Sequence, residues 1–170
     1  KNLTINGGSS QVTVSGNNAS RVFNVSSGKT VGIVGLTLSA GSATNGGAIL
    51  NDGALTIVSS TLSGNAATAD GGAISTTATS TSLTLINTTI SGNTAAGSGG
   101  GIVVLGGTVT SINSTITNNT ADLGDVAPGD GGGISAQAGT TILKNTIVAG
   151  NFNDNGVTDA ADDISGTVDP

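Results

Sequence analysis

One short phrase returns four times along the chain and ends each time in asparagine. It reads TLSGN at 61–65, TISGN at 89–93, TITNN at 115–119 and, with one residue inserted, TIVAGN at 146–151. The asparagines that end successive copies lie 26 to 32 residues apart. A repeat of this length in a fixed order implies a solenoid, in which each copy forms one coil.

A second anchor stands ahead of each phrase. It reads GGAI at 46–49 and 71–74, and GGGI at 99–102 and 131–134. The segments between the two anchors alternate apolar and polar residues, as strands do; they are 55–58, 83–86, 109–112 and 140–143. A more degenerate copy begins at Phe23 and a partial one at Asn2. One coil cannot bury the inner face of its strands, so we expect coils stacked about 4.8 Å apart.

The alignment predicts three columns of inward-facing side chains. The first holds Ile49, Ile74, Ile102 and Ile134, the second Leu62, Ile90, Ile116 and Ile147, and the third Ile57, Leu85, Ser111 and Ile142. Each large aliphatic side chain contributes roughly 1.5–3 kcal/mol when buried. The columns are therefore predicted to dominate stability, with Ser111 as a local weak point.

The asparagines that end the phrases are predicted to serve the fold: Asn65, Asn93, Asn119 and Asn151. Asparagine tolerates the left-handed backbone of a bend and bonds locally through its side chain. Asparagines stacked at one coil spacing can also bond amide to amide as a ladder. The glycine pairs are predicted to turn the chain sharply with positive φ.

These features predict an all-β fold, a right-handed parallel β-helix of about five coils. A single domain over residues 1–170 is expected, with loop insertions near 121–131 and 152–163. The right-handed form is favoured because the repeats vary in length, whereas left-handed β-helices keep a strict short period. Few aromatic residues can indicate disorder, but the alternating apolar runs indicate an ordered chain.

Composition excludes several classes of function. Ten acidic residues, all Asp, against four basic ones give a net charge of −6, so a nucleic-acid partner is not expected. No apolar run is long enough to span a bilayer, so membrane insertion is not expected either. Cysteine is absent, which excludes thiol chemistry. Because the sequence opens at Lys1 in a strand-like segment, we expect a mature or excised part of a longer, exported chain.

With these residues, the sequence resembles the right-handed β-helix repeats of large bacterial surface and secreted proteins. The GGAI tetrapeptides are similar to those of polymorphic outer-membrane-protein and autotransporter-type passengers. The phrases STLSGN, TTISGN and NTIVAGN, with DDISGTV at 162–168, are similar to exported proteins with CSLREA or choice-of-anchor type repeats. The FxxN motif of the polymorphic proteins occurs only at Phe152 to Asn155. The resemblance implies an adhesin or envelope component, located outside the cell or on the bacterial surface.

The insertion that begins at residue 151 offers a candidate calcium site. Its sequence NFNDNGVTDAAD places oxygen-bearing side chains at the spacing of an EF-hand or dockerin-type loop. The candidate ligands are Asn151, Asn153, Asn155, Asp159 and Asp162. Asparagine at the first and fifth positions and Asp at the twelfth depart from that pattern, so an ordinary Asn/Asp/Gly loop is the alternative. The other insertion holds a lesser candidate, formed by Asp122, Asp125 and Asp130.

A carbohydrate-active enzyme is one alternative function, because polysaccharide lyases and glycoside hydrolases also use β-helices. Lyase chemistry needs a base and cations, but the chain has no His and only four scattered cations. A hydrolase needs two carboxylates at a defined separation. Asp159, Asp162 and Asp163 could supply them, in a loop without an aromatic platform for a sugar. We therefore expect solvated loop acids and no catalytic residue.

A second alternative rests on residues that flank the inward position of each phrase. These are Thr37 and Ser39, Thr61 and Ser63, Thr89 and Ser91, Thr115 and Thr117, and Thr146 and Val148. Pointing outward, they would form an array that resembles the faces of β-helical ice-binding proteins. Threonine is, however, common on the outside of any strand.

The favoured interpretation is a non-catalytic, extracellular structural or adhesive module of a bacterial surface or matrix protein. A solenoid leaves unpaired strands at uncapped ends. The expected partners are therefore copies of the chain, stacked end to end into filaments, or flanking coils of a longer chain. Surface glycans are the other expected partners, and calcium is the only expected cofactor.

Overall fold

A computed structural model describes residues 2–10, 12–77, 81–122, 130–154 and 159–169, with residues 159 and 160 described by their backbone alone. Within these ranges the regular structure is all β, and none of the described residues forms a helix that could cross a membrane. Most strands pair in parallel with their counterparts one coil away. The chain is a β-solenoid of about five turns, as the repeat predicts.

The strands recur in the same order in successive coils. The first, partial coil has β1 (Leu3–Asn6) and β2 (Val12–Ser15). Three coils of four strands follow: β3 (Phe23–Val25), β4 (Thr30–Val34), β5 (Leu36–Ser39) and β6 (Ser42–Ala43); β7 (Ile49–Asn51), β8 (Ala54–Val58), β9 (Thr61–Ser63) and β10 (Ala66–Ala67); and β11 (Ile74–Thr76), β12 (Ser82–Ile86), β13 (Thr89–Ser91) and β14 (Thr94–Ala95).

Two later coils each open with an 11-residue strand that continues around a corner. The first of them has β15 (Ile102–Ile112), β16 (Thr115–Thr117) and β17 (Thr120–Ala121). The second has β18 (Ile134–Lys144), β19 (Ile147–Val148), β20 (Phe152–Asp154) and β21 (Asp159–Ala161). A last strand, β22 (Ile164–Gly166), lies against the start of β18.

Three sheets enclose the core. Sheet A has ten strands, most of which lie in two rows. One row holds β1, β4, β8 and β12, and the other holds β3, β7, β11 and β22. The long strands β15 and β18 belong to both rows and join them. Sheet B holds β2, β5, β9, β13, β16 and β19, and sheet C holds β6, β10, β14, β17, β20 and β21. Among the described strands, the pairing of β20 with β21 is the one that is antiparallel.

The first predicted column is confirmed. Ile49, Ile74, Ile102 and Ile134 are paired in register and have no exposed surface. Phe23 extends this column at one end and Ile164 at the other. Identical apolar side chains thus stack along the axis, which is how coils that are individually too small form a common core.

The other two columns are confirmed except at their last members. Leu62, Ile90 and Ile116 are in register, as are Ile57, Leu85 and Ser111, and all six are fully buried. In the last coil, however, Val148 takes the place predicted for Ile147, and Leu143 takes the place predicted for Ile142. Ile147 points outward and is 61% exposed.

The buried asparagine, rather than the threonine, sets the register of that coil. Asn119 bonds to Asn151, which lies 32 residues later. The same offset relates Ile116 to Val148. The segment 147–151 therefore aligns without an insertion on 115–119. The alignment on threonine was wrong because hydrogen bonding fixes the asparagine, whereas an outward position accepts threonine or isoleucine.

Ser111 interrupts the apolar column as predicted, with a polar partner. It is fully buried, and its hydroxyl is hydrogen-bonded at 3.2 Å to the hydroxyl of Thr146 in the next coil. A buried hydroxyl costs much less when it is bonded than when it is not.

The left-handed backbone predicted at the phrase asparagines lies one residue earlier. The residues with positive φ are Gly64, Gly92, Asn118 and Gly150, at 62°, 64°, 54° and 69°. The bend is made by these residues, so the asparagine that follows each is free to turn its side chain inward. The first glycine of each glycine-rich anchor does have positive φ, as predicted; at Gly71, a Cβ would also lie 2.4 Å from the carbonyl oxygen of Ile74.

Candidate functional site

The phrase asparagines form a hydrogen-bonded ladder inside the solenoid, which confirms the amide-to-amide stacking. Asn65, Asn93, Asn119 and Asn151 are each at most 1% exposed. Asn65 donates to Asn93 Oδ1 from its backbone N at 3.0 Å and from Nδ2 at 2.8 Å. Asn93 bonds to Asn119 and Asn119 to Asn151 in the same way, at 3.1 and 2.9 Å in both cases.

Each ladder amide also ties the bend to sheet B of the preceding coil. Nδ2 of Asn93 donates to the Leu62 carbonyl at 3.0 Å, and Nδ2 of Asn119 donates to the Ile90 carbonyl at 3.1 Å. A buried amide left without such partners would destabilise the fold. The ladder therefore requires an asparagine in each of these coils.

A second polar column, which sequence reasoning missed, lies one corner earlier. Ser60, Thr88 and Ser114 are at most 4% exposed. Ser60 Oγ accepts from the backbone N of Leu36 at 3.2 Å, and Ser114 Oγ accepts from that of Thr88 at 3.1 Å. The available signal was the Ser or Thr that directly precedes each of the first three copies of the phrase.

The segment predicted to bind calcium forms an antiparallel hairpin at the C-terminal end. Phe152 pairs with Ala161, and the backbone N of Asp162 donates to the Asn151 carbonyl at 3.0 Å. Of the five candidate ligands, Asn155 and the side chain of Asp159 lie outside the described residues.

Two of the described candidates have their oxygens engaged in the fold. Asn151 Oδ1 accepts both ladder bonds from Asn119, and Asp162 Oδ2 accepts from the backbone N of Gly131 at 2.6 Å. Asn153 is half-buried in β20. Among the described residues, no three His, Cys, Asp or Glu side chains are grouped to hold a metal ion. Calcium at this hairpin stays a prediction from the sequence spacing.

The other insertion is described only at its edges. Asp122 is 3% exposed, and its Oδ1 has no hydrogen-bond partner among the described residues. Asp130 is exposed, and Asp125 lies outside the described residues.

Asp163 lies at the C-terminal end of the ladder. Its Oδ1 accepts from the backbone N of Asn151 at 2.8 Å and from Nδ2 of Asn151 at 3.0 Å. Asp162 and Asp163, two of the three carboxylates considered for catalysis, thus each accept hydrogen bonds from the last coil.

The outward face of sheet B carries hydroxyl side chains in register. From β2 to β16 the pairs are Thr13 and Ser15, Thr37 and Ser39, Thr61 and Ser63, Thr89 and Ser91, and Thr115 and Thr117. The predicted last pair, Thr146 and Val148, is wrong because of the register. Ile147 and Ala149 stand there, so the hydroxyl array ends at β16.

A shallow pocket of about 190 Å³ opens beside this face. Gly35, Leu36, Thr37, Ser59 and Thr61 line it. The lining has no charged or aromatic side chain, so it offers neither an acid–base group nor a stacking surface for a sugar ring.

Stacked coils, an internal asparagine ladder and polar outer faces define a parallel β-helix repeat protein. The family model of the Chlamydia polymorphic membrane protein (Chlamydia_PMP) repeat matches residues 59–77, 87–104 and 113–137, which together make up less than half of the chain. Each matched segment contains one asparagine phrase and the glycine-rich anchor of the next coil. The chain is thus a β-helix repeat region of the bacterial surface-protein type. No curated protein and no solved structure matches it.

Proposed function

We propose that this chain is a non-catalytic structural and adhesive module, displayed outside the cell by a bacterial surface protein. The observation that carries the proposal is that the recurring polar residues of the repeat bond to neighbouring coils. Asn93 and Ser114 are examples, both buried and both hydrogen-bonded across coils. The repeat therefore builds a rigid body, and its outer faces are available for contact with other surfaces.

The outer face of sheet B suits hydrogen bonding to surface glycans. Five strands present paired hydroxyls there, at the strand spacing of about 4.8 Å. Short hydroxyl side chains lose little conformational entropy on binding, in contrast to long charged ones.

A test of adhesion is binding of the purified chain to immobilised polysaccharides. We expect Thr61→Tyr with Thr89→Tyr to weaken binding, because the bulky rings would break the flat face. Thr56→Tyr with Thr84→Tyr makes the same change on the outward face of sheet A and is the matched control. Equal binding by both variants would remove the sheet B face from the proposal. Polysaccharide cleavage that is lost on Asp162→Asn would contradict the non-catalytic assignment.

Binding to ice or another ordered surface is a second candidate, favoured by the register of the hydroxyl array over five strands. The sheet B variant and the sheet A variant described above also test this candidate. Thermal hysteresis in the unmodified chain, absent from the sheet B variant and retained in the sheet A variant, would support this candidate over glycan adhesion.

We further propose that the partner at the N-terminal end is another β-helical coil. Leu3 and Val12 face inward, in register with Val31 and Leu36, yet they are 54% and 40% exposed. Filaments of stacked copies would also require a C-terminal end that accepts a coil. Among the described strands β22 pairs with β18 alone, which leaves its other edge for such a coil.

A further inference from the structure

We infer that the shallow pocket at the corner between sheets A and B is a subsite for one neutral sugar unit, and that Gly35 keeps it open. This pocket, hereafter the Gly35 notch, is lined by Gly35, Leu36, Thr37, Ser59 and Thr61. The inference rests on the proposed adhesive function and deepens it, because it gives the glycan one place of contact and one chemical class.

The notch lies where one corner residue lacks a side chain. Five residues occupy equivalent places at this corner, each directly after a strand of sheet A and each with positive φ; they are Gly35, Ser59, Asn87, Asn113 and Asn145, at 65°, 48°, 50°, 50° and 52°. The backbone N of each of the first four donates to a carbonyl of the next coil. The last three coils thus place an amide side chain at the corner, whereas Gly35 leaves that space open.

The hydroxyls that line the notch are not used by the fold. Thr37 and Thr61 are in register on the outward face of sheet B, and Ser59 is exposed at the corner. None of these three hydroxyls bonds to another described residue. The hydroxyl of the next residue, Ser60, does bond, since it donates to the Val58 carbonyl at 2.8 Å. Because a hydroxyl can both donate and accept, the three free ones suit the hydroxyl groups of a carbohydrate.

Volume and charge limit what the notch can hold. It measures about 190 Å³, below the range of about 300–1,000 Å³ for drug-sized ligands, so it fits one sugar unit rather than an oligosaccharide. No charged side chain lines it, and the chain carries a net charge of −6, so nothing compensates an acidic group on the sugar. Without an aromatic ring, hydrogen bonds supply the binding, and we expect a dissociation constant of about 1 mM or weaker.

One substitution closes the notch and keeps the backbone. Among the described atoms, a Cβ at Gly35 would meet only the Gly8 carbonyl oxygen, at the ordinary contact distance of 3.4 Å. Asparagine tolerates positive φ and stands at the equivalent place in three later coils. Gly35→Asn is therefore expected to fold and to fill the notch with its amide.

Gly92→Asn is the matched control. It makes the same change at a φ of 64°, on the opposite edge of sheet B, where Asn118 stands one coil later with a φ of 54°. A Cβ at Gly92 would meet no described atom within 4 Å. The control therefore adds the same side chain beside sheet B without touching the notch.

The test titrates the ¹⁵N-labelled chain with free glucose, galactose and mannose and follows the backbone amide signals by NMR. At least one sugar should cause saturable shifts at Gly35, Thr37 and Thr61. Gly35→Asn should weaken that binding by about tenfold or more, whereas Gly92→Asn should leave it unchanged. The uronic acid of the same sugar, which carries a carboxylate, should bind more weakly than the neutral sugar.

Four outcomes would overturn the inference: no shifts with any of the three sugars, shifts confined to other parts of the chain, binding that survives Gly35→Asn, or a uronic acid that binds as tightly as the neutral sugar. Immobilised polysaccharide separates this failure from that of the proposed function. If the unmodified chain and Gly35→Asn bind it equally, the notch is wrong and the adhesive function stands. If the unmodified chain binds neither polysaccharide nor free sugar, the adhesive function fails together with the notch.

Discussion

At the N-terminal end of the solenoid the inward-facing Leu3 and Val12 keep 54% and 40% of their surface exposed, whereas at the C-terminal end Ile134 is fully buried beneath β22. Both ends are built from the same repeat, so apolar periodicity does not account for the difference. What differs is the coverage by a further strand: β22 lies over Ile134, whereas β1 and β2 are the last described strands of their rows. In a repeat protein, the columns define the body, and the exposure of each apolar residue depends on whether a further strand lies over it.

The largest difference in stability is expected between two core truncations, one in the middle of the solenoid and one at its N-terminal end. Leu85 is fully buried between coils, so Leu85→Ala should lower the free energy of unfolding by about 3–5 kcal/mol. Leu3→Ala, at a half-exposed site, should cost less than about 1 kcal/mol. Denaturant titration of both variants measures the contrast. A comparable loss at Leu3 would show that the N-terminal end is already covered by a partner in solution.

A smaller difference in the free energy of unfolding is expected between an inner position of the asparagine ladder and its C-terminal end. Asn93→Ala would leave the amide of Asn65 without its acceptor in a buried site and should cost about 2–4 kcal/mol, because each unsatisfied buried group costs about 1–3 kcal/mol. Asp163→Ala, which removes the acceptor of Asn151 at a half-buried position that water can reach, should cost about 1–2 kcal/mol. Thermal and denaturant unfolding of the two variants give the comparison. If Asp163→Ala proved as costly as Asn93→Ala, the C-terminal end would be as deeply closed as the interior.

Sequence patterns were sufficient for the body of this fold. The columns around Ile74, Leu85 and Ile90 follow directly from repeat spacing, since parallel coils place equivalent residues in register. The asparagine ladder was also predictable, because an amide can both donate and accept along a stack. The role of the left-handed residue was assigned one position too late. Glycine and asparagine both tolerate that backbone, and the sequence alone did not separate the turning residue from the bonded one.

The hydrogen bonds of the last coil were not predictable from the repeat. Asp162 was considered as a metal ligand, and both Asp162 and Asp163 as catalytic acids, because their sequence context is a polar insertion. Their bonds to Gly131 and Asn151 depend on a hairpin that brings residue 163 back to the ladder, and no repeat encodes that path. A signal was present nonetheless: Asp163 stands directly before Ile164, which continues the first column, whereas the earlier coils have Ala48, Ala73, Gly101 and Gly133 at that place.

The link between the last two coils should be strengthened by removing the polar interruption in the core. Ser111→Val fills a buried position beside Leu85 and should raise the free energy of unfolding by roughly 0.5–1 kcal/mol, since one buried methylene contributes about 0.8 kcal/mol. Thr146 keeps a bond to the Lys144 carbonyl at 3.1 Å, so its hydroxyl is not left unpaired. Ser114→Val is the control and should destabilise, because the backbone N of Thr88 loses its acceptor. Stabilisation by both changes would mean that volume alone matters at this corner.

The smallest expected effect tests the register that separates the last coil from the others. Ile147 lies outward at the place of Thr115, so Ile147→Thr should change the free energy of unfolding by no more than about 0.5 kcal/mol. Val148 packs against the core, and Val148→Thr, which buries a hydroxyl at nearly constant volume, should cost about 1–2 kcal/mol. If the threonine of the phrase set the register instead, the two costs would exchange, with Ile147→Thr the damaging change. Unfolding measured on this pair therefore distinguishes a coil aligned by its buried asparagine from one aligned by its surface threonine.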